Sequence, residues 1–280
     1  MSARGLSTMA SLPSLAPNPI SAADEARWRG YTWRLIPEVA RAPRMNMALD
    51  EVLTLRVGSG ERPPTIRIWG WAGPCVVLGR FQSVRNEVNR ANADRLGIEI
   101  VRRISGGGAM FIEPAGAITY SIYAPEEIVE GMSFPESYAF FDGWVVNALR
   151  DLGVDAWYEP LNDIASANGK VGGAAQARRA GAVLHHTTIA YQMNVPLMLE
   201  VLRIGQEKLS DKGIRSADKR VGPLRQQTEL PRAEIIDRLI ASFRSRYALV
   251  DDELTPEELA AAEELVRTRF GTEEWVSVLP

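Results

Sequence analysis

Residues 102–109 have the sequence RRISGGGA and lie between a predicted strand at 98–102 and another at 117–123. Three consecutive glycines leave the backbone without Cβ atoms, so its N–H groups can approach the oxygen atoms of a ligand closely. Arg102 and Arg103 supply positive charge for a phosphate or a carboxylate. The stretch lacks the Gly-Lys-Ser/Thr of a Walker loop, and it lacks the spacing and following helix of a dinucleotide fingerprint. It therefore predicts either a kink in a sheet or an anion-binding loop.

Lys170 lies in a second glycine-rich stretch, GKVGGAA at residues 169–175, shortly after Asn162 and Asp163. Small neighbours leave its ammonium group free to lie against a phosphate or a developing oxyanion. Asp163 is a candidate to orient this lysine or to hold a magnesium ion. A surface lysine in a hairpin and a solvated carboxylate at a strand end are the alternatives. Two glycine-rich strand ends that both carry cations favour a binding site.

The composition removes several classes of function. The 280 residues include 32 Lys and Arg against 35 Asp and Glu, a net charge of −3, which gives no sign of a nucleic-acid partner. The only cysteine is Cys75, so neither an intrachain disulfide nor a cysteine-based metal site can form. His185 and His186 are adjacent, and neighbours in a strand point to opposite faces, which disfavours a zinc site. No apolar run is long enough for a membrane span, and we expect a cytoplasmic protein with no membrane partner.

The order of the predicted elements indicates an α+β fold. Strands occur in pairs and triplets between helices, which favours a mixed, largely antiparallel sheet packed with helices over a doubly wound fold. We predict a flexible N-terminal tail at 1–26, a catalytic domain at 27–250 and a short C-terminal helical extension at 251–280. Thr255 and Glu258 form the capping box that starts the extension. The polar stretch 210–227 is either a surface loop or a mobile loop of the active site.

Five motifs together resemble the lipoate–protein ligase A family, which belongs to the biotin/lipoate ligase and octanoyltransferase superfamily. They are NMALDE at 46–51, LGRFQ at 78–82, RRISGGGAMF at 102–111, ND at 162–163 with GKVGGAA at 169–175, and HTT at 186–188. The match runs in the family's order from about Trp33 to Pro280, and it is similar to the short form without a C-terminal accessory domain. The family often has His-Asp where this chain has Ile112 and Glu113.

The resemblance implies a catalytic domain that uses ATP with Mg²⁺ to convert lipoate to lipoyl-AMP and then transfers the lipoyl group to a lysine. The implied partners are lipoyl domains of 2-oxoacid dehydrogenase complexes or the glycine-cleavage H protein, and in two-protein systems a separate accessory-domain protein. Lys170 is implied to be catalytic, and Asp163 to hold magnesium. The implied ATP and lipoate contacts are Arg103, Ser105, Gly106, Gly107, Gly108, Ala109, Met110, Phe111, Asn162, Asp163 and Lys170.

Two alternatives to an ATP-dependent ligase stay open. Related octanoyltransferases use a cysteine nucleophile that is acylated from acyl carrier protein without ATP, and in our alignment that cysteine falls at Asn162. The only thiol here, Cys75, is distant from Lys170 in sequence, and we expect it to be a buried structural residue. The other alternative is that the chain is the catalytic subunit of a two-protein ligase. The sequence favours the ligase because lysine, arginine and backbone N–H groups suffice for activation by ATP.

Overall fold

The computed structural model describes residues 21–203 and 221–280 and has the predicted α+β architecture. Its main sheet has nine strands in the described residues, namely β1 (Trp33–Ile36), β2 (Ala40–Arg41), β3 (Thr65–Trp71), β7 (Ala117–Pro125), β8 (Ala156–Glu159), β9 (Asp163–Ser166), β10 (Gly169–Arg179), β11 (Ala182–Ala190) and β12 (Leu249–Asp251). Their order across the sheet is β12-β1-β3-β7-β11-β10-β9-β8, with β2 paired to β3. The strands from β3 to β8 along this order pair antiparallel, whereas β12, β1, β2 and β3 pair parallel. The prediction of a mixed, largely antiparallel sheet is confirmed.

A smaller sheet carries the glycine-rich stretch. Its strands are β4 (Cys75–Leu78), β5 (Glu99–Arg102) and β6 (Met110–Ile112), with β4 in the centre. Residues 103–109 connect the two edge strands, β5 and β6. Because the neighbouring strand β4 is parallel to β5 and antiparallel to β6, this connection crosses the end of the central strand next to Gly79.

Helices cover both faces of the main sheet. The helices of the described residues are α1 (Ala22–Arg29), α2 (Pro43–Gly58), α3 (Val84–Glu87), α4 (Arg90–Arg95), α5 (Phe134–Asp151), α6 (Val195–Val201), α7 (Arg232–Arg246), α8 (Pro256–Leu265) and α9 (Glu273–Val276). Of these, α3, α4 and α6 pack against the small sheet. Helices α5 and α7 bury an aromatic and aliphatic cluster against one face, including Trp144 and Phe243. Helix α2 lies on the other face and contacts β7, β11 and β5, so it joins the two sheets. No helix in the described ranges has both the length and the apolar surface to cross a membrane.

The N-terminal helix begins inside the predicted tail of residues 1–26. Ser21 caps α1 by accepting a hydrogen bond from the backbone N–H of Asp24, whose carboxylate in turn accepts from Ser21. Trp28 of this helix is fully buried against Trp33 and Phe140. Residues 22–26 are therefore part of a helix that belongs to the main core, and 1–20 lie outside the described residues.

Residues 251–280 pack onto the rest of the fold. Strand β12 crosses the predicted boundary at 250 and pairs with β1. The predicted capping box forms, because Thr255 and Glu258 exchange side-chain and backbone hydrogen bonds at the start of α8. The buried guanidinium of Arg62 bonds to Glu258 and Asp252 at 2.7 Å each, which ties this segment to the loop after α2. Of the predicted loop 210–227, residues 210–220 lie outside the described part, and Leu224–Gln226 form a 3₁₀ turn.

Candidate active site

A cavity of about 210 Å³ lies between the glycine-rich connection and strands β3, β7, β10 and β11. Its walls combine apolar side chains, such as Trp69 and Val77, with two cationic side chains. Seven of the predicted site residues line it, namely Arg103, Gly108, Ala109, Met110, Phe111, Asn162 and Lys170. Four others, Ser105, Gly106, Gly107 and Asp163, lie outside the lining. The two glycine-rich stretches, which are about 60 positions apart in the chain, thus meet at one cavity.

Lys170 is held at the cavity by its neighbours in the β9–β10 hairpin. Its Nζ atom lies 2.6 Å from Oδ1 of Asp163, and about half of its side chain is exposed. A Cβ atom at Gly173 would lie 3.0 Å from that Nζ atom, so the ammonium occupies space that a larger residue would take. Asp163 is thus placed to orient the lysine, and this role, one of the two alternatives given for it, stays a prediction.

Asn162 is engaged with the backbone of β10. Its side-chain amide donates to the carbonyl of Ala174 at 2.6 Å, and the N–H of Ala174 donates to the carbonyl of Asn162 at 2.8 Å. These two bonds pair Asn162 with the strand that carries Lys170. The amide side chain therefore fixes the shape of the hairpin beside the cavity.

The glycine-rich connection folds around the buried guanidinium of Arg103. This group donates to the carbonyls of Gly106 and Gly108 at 2.6 and 2.8 Å. Gly107 has a positive φ of 86°, which favours glycine, and a Cβ at Gly79 would lie only 2.1 Å from the carbonyl of Gly107. Arg103 forms no ion pair with a carboxylate in the part of the chain that the structure describes. Burial lowers its pKa to about 10, so it stays cationic at neutral pH and presents positive charge to the cavity.

Arg102 supports the same connection from behind. Its fully buried guanidinium donates to the carbonyls of Gly79 and Gln82 at 2.8 and 2.7 Å. It also donates to the carbonyls of Trp275 and Val276, and Trp275 donates through Nε1 to the carbonyl of Arg102. Arg102 therefore joins the loop after β4 to the last helix and does not reach the cavity.

A series of buried polar side chains extends from the cavity wall, which His186 helps to form, into the core, and the sequence analysis assigned no role to Asp50 or His186. The Oγ atom of Ser105 lies 2.6 Å from Nε2 of His186, and Nδ1 of His186 lies 2.8 Å from Oδ2 of Asp50. Ser105 is thus turned toward β11 and does not line the cavity that it was predicted to contact. Asp50 and His186 belong to the motifs at 46–51 and 186–188, which were the available signal, but their roles follow only from the contact between α2 and β11.

Burial and hydrogen bonds shift the two titratable members of this series. Burial lowers the pKa of His186 below its usual value of 6.5, although Asp50 opposes that shift. Burial works to raise the pKa of Asp50, but hydrogen bonds and charges from His186, Arg67 and Tyr123 outweigh it, and the pKa lies below its usual value. At neutral pH the neutral imidazole of His186 is therefore paired with the carboxylate of Asp50.

Cys75 lies in the core, away from the cavity lining. It is fully buried on β4, in a cluster with Met47 and Trp71. Burial, with a smaller effect from Glu99, raises the pKa of its thiol well above the ordinary value. A buried, protonated thiol is a poor nucleophile. The expectation of a structural cysteine agrees with this position.

The side chains near Lys170 determine whether the protein itself could hold a magnesium ion. Within residues 21–203 and 221–280, no group of three or more His, Cys, Asp or Glu side chains is arranged to hold a metal ion. Asp163 is the predicted ligand, and its carboxylate is bound to Lys170. Mg²⁺ is commonly held by one or two carboxylates together with substrate phosphates. The residues fit an ion that is bound mainly by nucleotide phosphates, and Asp163 as its ligand stays a prediction.

Residues 42–244 match the family described as the lipoyl protein ligase A/B catalytic domain. The chain belongs to this family. Among its relatives, octanoyltransferase LipM of Brevibacillus brevis is 30% identical over 275 residues, which cover 87% of this chain and 98% of the relative. The resemblance noted from the motifs is confirmed, and the protein is an enzyme of the lipoate ligase and octanoyltransferase family.

Solved structures of lipoyl protein ligases share the fold. The bi-partite lipoate protein ligase of Thermoplasma acidophilum, which was analysed with its E2 lipoyl domain, has a TM-score of 0.78 and 28% identity, and the match covers 89% of this chain and 97% of that one. A lipoate-protein ligase A bound with ATP has a TM-score of 0.76 and 26% identity, with coverage of 89% and 100%. The core that surrounds the cavity is therefore that of the family's catalytic domain.

Proposed function

We propose that this protein activates the carboxylate of lipoate with ATP and transfers the lipoyl group to a lysine of a lipoyl domain. The observation that carries the proposal is the cavity lining, which has cationic Arg103 and Lys170 among apolar walls and contains no thiol. This combination suits an acyl chain that ends in a carboxylate.

The two cations have distinct roles in this reaction. Attack of the lipoate carboxylate on the α-phosphate of ATP gathers negative charge between two anions, and a fixed ammonium or guanidinium group stabilises that charge. Lys170, held by Asp163, supplies a point charge that can reach both anions, whereas the planar guanidinium of Arg103 is fixed in the glycine-rich connection. No protein nucleophile is required, because the acceptor lysine attacks the lipoyl-adenylate directly.

Apolar residues provide the place for the acyl chain. Trp69, Val77 and Val171 are buried side chains that face the cavity, and Met110 and Met193 complete its wall. Burial of a chain of methylene groups against such a wall is favourable by about 0.8 kcal/mol for each CH₂ group. The lining therefore supports a medium-length acyl substrate such as lipoate or octanoate.

A second candidate is transfer of an octanoyl or lipoyl group from acyl carrier protein without ATP. It is favoured by relatives that are named octanoyltransferases, including those of Brevibacillus brevis and Symbiobacterium thermophilum at 30% identity. These names support the transferase alternative better than the ligase. Against it stands the position of Cys75, because the thiol mechanism expected of such enzymes needs a nucleophile at the cavity.

The Thermoplasma ligase supports the third arrangement, a catalytic subunit that acts together with a separate accessory protein. That protein is a bi-partite lipoate protein ligase, and it was analysed together with its E2 lipoyl domain. We extend both features to this chain as proposals. The acceptor would then be a lipoyl domain of a 2-oxoacid dehydrogenase complex or the H protein.

One matched set of assays separates these functions. The purified protein is incubated with a lipoyl domain and either lipoate, ATP and Mg²⁺, or octanoyl carrier protein without ATP. Pyrophosphate release and the mass of the lipoyl domain are measured for wild type, Lys170→Ala and Cys75→Ser. We expect ATP-dependent modification by wild type and Cys75→Ser, and its loss in Lys170→Ala.

Modification from octanoyl carrier protein without ATP, with no pyrophosphate release in the lipoate reaction, would contradict the ligase proposal. Loss of that transfer in folded Cys75→Ser would assign the role of nucleophile to the thiol. Pyrophosphate release that begins only when an accessory protein is added would establish the two-protein form.

A further inference from the structure

We propose that Asp50 and His186 are positioning residues, which act through the hydroxyl of Ser105 to fix the guanidinium of Arg103 at the cavity. The proposal rests on the proposed function only for the identity of the anion that Arg103 faces. The contacts themselves form a continuous chain from helix α2 through strand β11 to the glycine-rich connection.

The direction of each hydrogen bond follows from the donors present. Nε of Arg103 always carries a hydrogen, which it shares between Oγ of Ser105 and the carbonyl of Gly106, both at 3.1 Å, so the Ser105 oxygen must accept. The hydroxyl hydrogen of Ser105 is then free to donate to Nε2 of His186 at 2.6 Å. His186 consequently carries its proton on Nδ1 and donates it to the carboxylate of Asp50 at 2.8 Å. We call this directed series the relay, and its members are Arg103, Ser105, His186 and Asp50.

The carboxylate end of the relay is anchored from several elements. Oδ1 of Asp50 accepts from the hydroxyls of Ser121 and Tyr123 on β7 at 3.0 and 2.6 Å. Arg67 on β3 contributes an ion pair at 3.5 Å. With all of these donors, Asp50 is fixed, and it fixes the ring of His186 in turn. The position of Arg103 in the cavity wall is thus fixed by contacts that extend into the core.

The relay requires a neutral imidazole. The charged and titratable groups that face His186 are Asp50 from α2 and Arg103 from the glycine-rich connection, while His185 is its neighbour on β11. If His186 took up a proton, Nε2 would become a donor, and the Ser105 hydroxyl would lose its acceptor in a buried site. An unsatisfied buried donor is costly, so protonation would displace Ser105 and leave Nε of Arg103 with the carbonyl of Gly106 as its remaining acceptor.

His185 provides a matched control on the same strand. It points to the opposite face of the main sheet, where its Nε2 lies 2.9 Å from Asp142 on α5. It is fully buried, as His186 nearly is, but its partners do not reach the cavity. A substitution of His185 therefore reports the cost of losing a buried histidine without affecting the relay. Because the chain has two histidines, His185→Asn also leaves His186 as the only imidazole.

The test compares Ser105→Ala, Ser105→Thr, His186→Asn and His185→Asn in the full chain. Asparagine at 186 can still donate to Asp50 but is too short to reach Ser105. Nitrogen-15 NMR measures hydrogen exchange at Nε of Arg103 and the tautomer of His186 in the His185→Asn background. Calorimetry measures binding of lipoate, and of ATP, from pH 5 to 8.

We expect the proton on Nδ1 of His186, and exchange at Nε of Arg103 that is at least 10-fold faster in Ser105→Ala and His186→Asn. We expect Ser105→Thr and His185→Asn to retain slow exchange. Ligand dissociation constants should rise about 10-fold in the first two variants, since a hydrogen bond to a charged group is lost. The wild-type affinity should fall only as the pH decreases toward the lowered pKa of His186, and His186→Asn should lack this decrease.

A proton on Nε2 of His186, or unchanged Arg103 exchange in folded Ser105→Ala and His186→Asn, would overturn the relay. Failure of the proposed function has a different signature, in which wild type binds neither lipoate nor ATP while the exchange data still distinguish the variants. The exchange measurement decides the relay in either case, because it requires no ligand.

Discussion

Oδ1 of Asp163 lies 2.6 Å from Nζ of Lys170, at the end of the hairpin that borders the cavity. Both side chains are partly exposed, so water screens the pair and its contribution to stability is small. Its consequence is geometric, because the lysine has four rotatable bonds and the carboxylate selects the arrangement in which the ammonium lies over Gly173.

This pair predicts different kinetic effects for its two members. Lys170→Ala removes the charge at the reacting anions, and we expect kcat to fall at least about 100-fold, as when a fixed donor to a developing oxyanion is removed. Asp163→Ala keeps the charge and frees the side chain, so KM for ATP should rise more than kcat falls. Steady-state assays of both variants test this, and an equal decrease of kcat in the two would contradict an orienting role for Asp163.

Gly173→Ala tests the space that Lys170 occupies. The added methyl carbon would lie 3.0 Å from Nζ and 3.1 Å from Cε of Lys170, so the ammonium must move. We expect a loss of activity of about 10-fold or more with little change in the melting temperature. Gly73→Ala is the matched control, because no atom lies within 4 Å of its added Cβ. Full activity in Gly173→Ala would show that the lysine need not lie over this glycine.

Buried Arg62 holds residues 251–280 against the rest of the fold. Its guanidinium bonds to Glu258 and Asp252, and Arg62 and Glu258 are both buried. Arg62→Ala leaves a buried carboxylate without its partner, and we expect the free energy of unfolding to fall by about 3 kcal/mol. Urea titration measures this change.

Arg90→Ala is the control for that experiment. Arg90 pairs with Glu273 on α9, so it also connects to the C-terminal helices, but both side chains are about half exposed. An exposed pair contributes roughly 0–1 kcal/mol. Equal losses in the two variants would mean that burial does not distinguish these contacts.

The pKa of His186 predicts how stability depends on pH. The pKa of His186 is lower in the folded protein than in the unfolded chain. Just below pH 6.5 the unfolded chain therefore binds a proton at His186, whereas the folded protein does not. The stabilisation is thus complete above about pH 6.5 and is lost as the pH falls toward the folded-state value. Each group of this kind contributes a slope of at most about 1.4 kcal/mol per pH unit.

Urea titrations at pH 7.5 and 5.5 test this dependence. We expect the wild type to lose more stability between the two values than His186→Asn does. Asp50 adds a further loss only at lower pH, below its usual carboxyl range, because its folded-state pKa is lowered. A pH dependence that is the same in wild type and His186→Asn would assign the effect to other groups.

Local chemistry predicts the parts of the candidate site that lie within one segment of chain, and residues of both predicted segments line the cavity. The glycine run beside Arg103 and the small residues around Lys170 indicate close approach to a ligand whatever the fold. The relay could not be predicted in the same way, since Asp50 and His186 are 136 positions apart and meet only after α2 packs on β11. Ser105 shows the same limit, because its neighbours in sequence do not indicate the direction of its side chain.

The elements were predicted best where pattern and cap agree. The sequence predicts two strands around residues 179–181 and a long helix capped by Ser133, and both features are present. The polar segment 86–96, which we predict to be one helix, is divided between α3 and α4, because Val88 bridges to Leu202 and Asn89 caps a new helix. An asparagine within a polar helical pattern does not by itself indicate a helix cap. Here the break depends on the contact between Val88 and Leu202, which only the structure shows.

The hydrogen bonds of Arg102 connect the glycine-rich connection to residues that the ribosome adds much later. Its donors need carbonyls at residues 79–82 and at 275–276, and the latter are up to 174 positions farther along the chain. A ribosome therefore exposes the glycine-rich connection long before the groups that brace it exist. Contacts so distant in sequence form late in folding. While the nascent chain lacks those residues, the connection has only its local hydrogen bonds, so its final shape should be gained after residues 275–276 have left the ribosome.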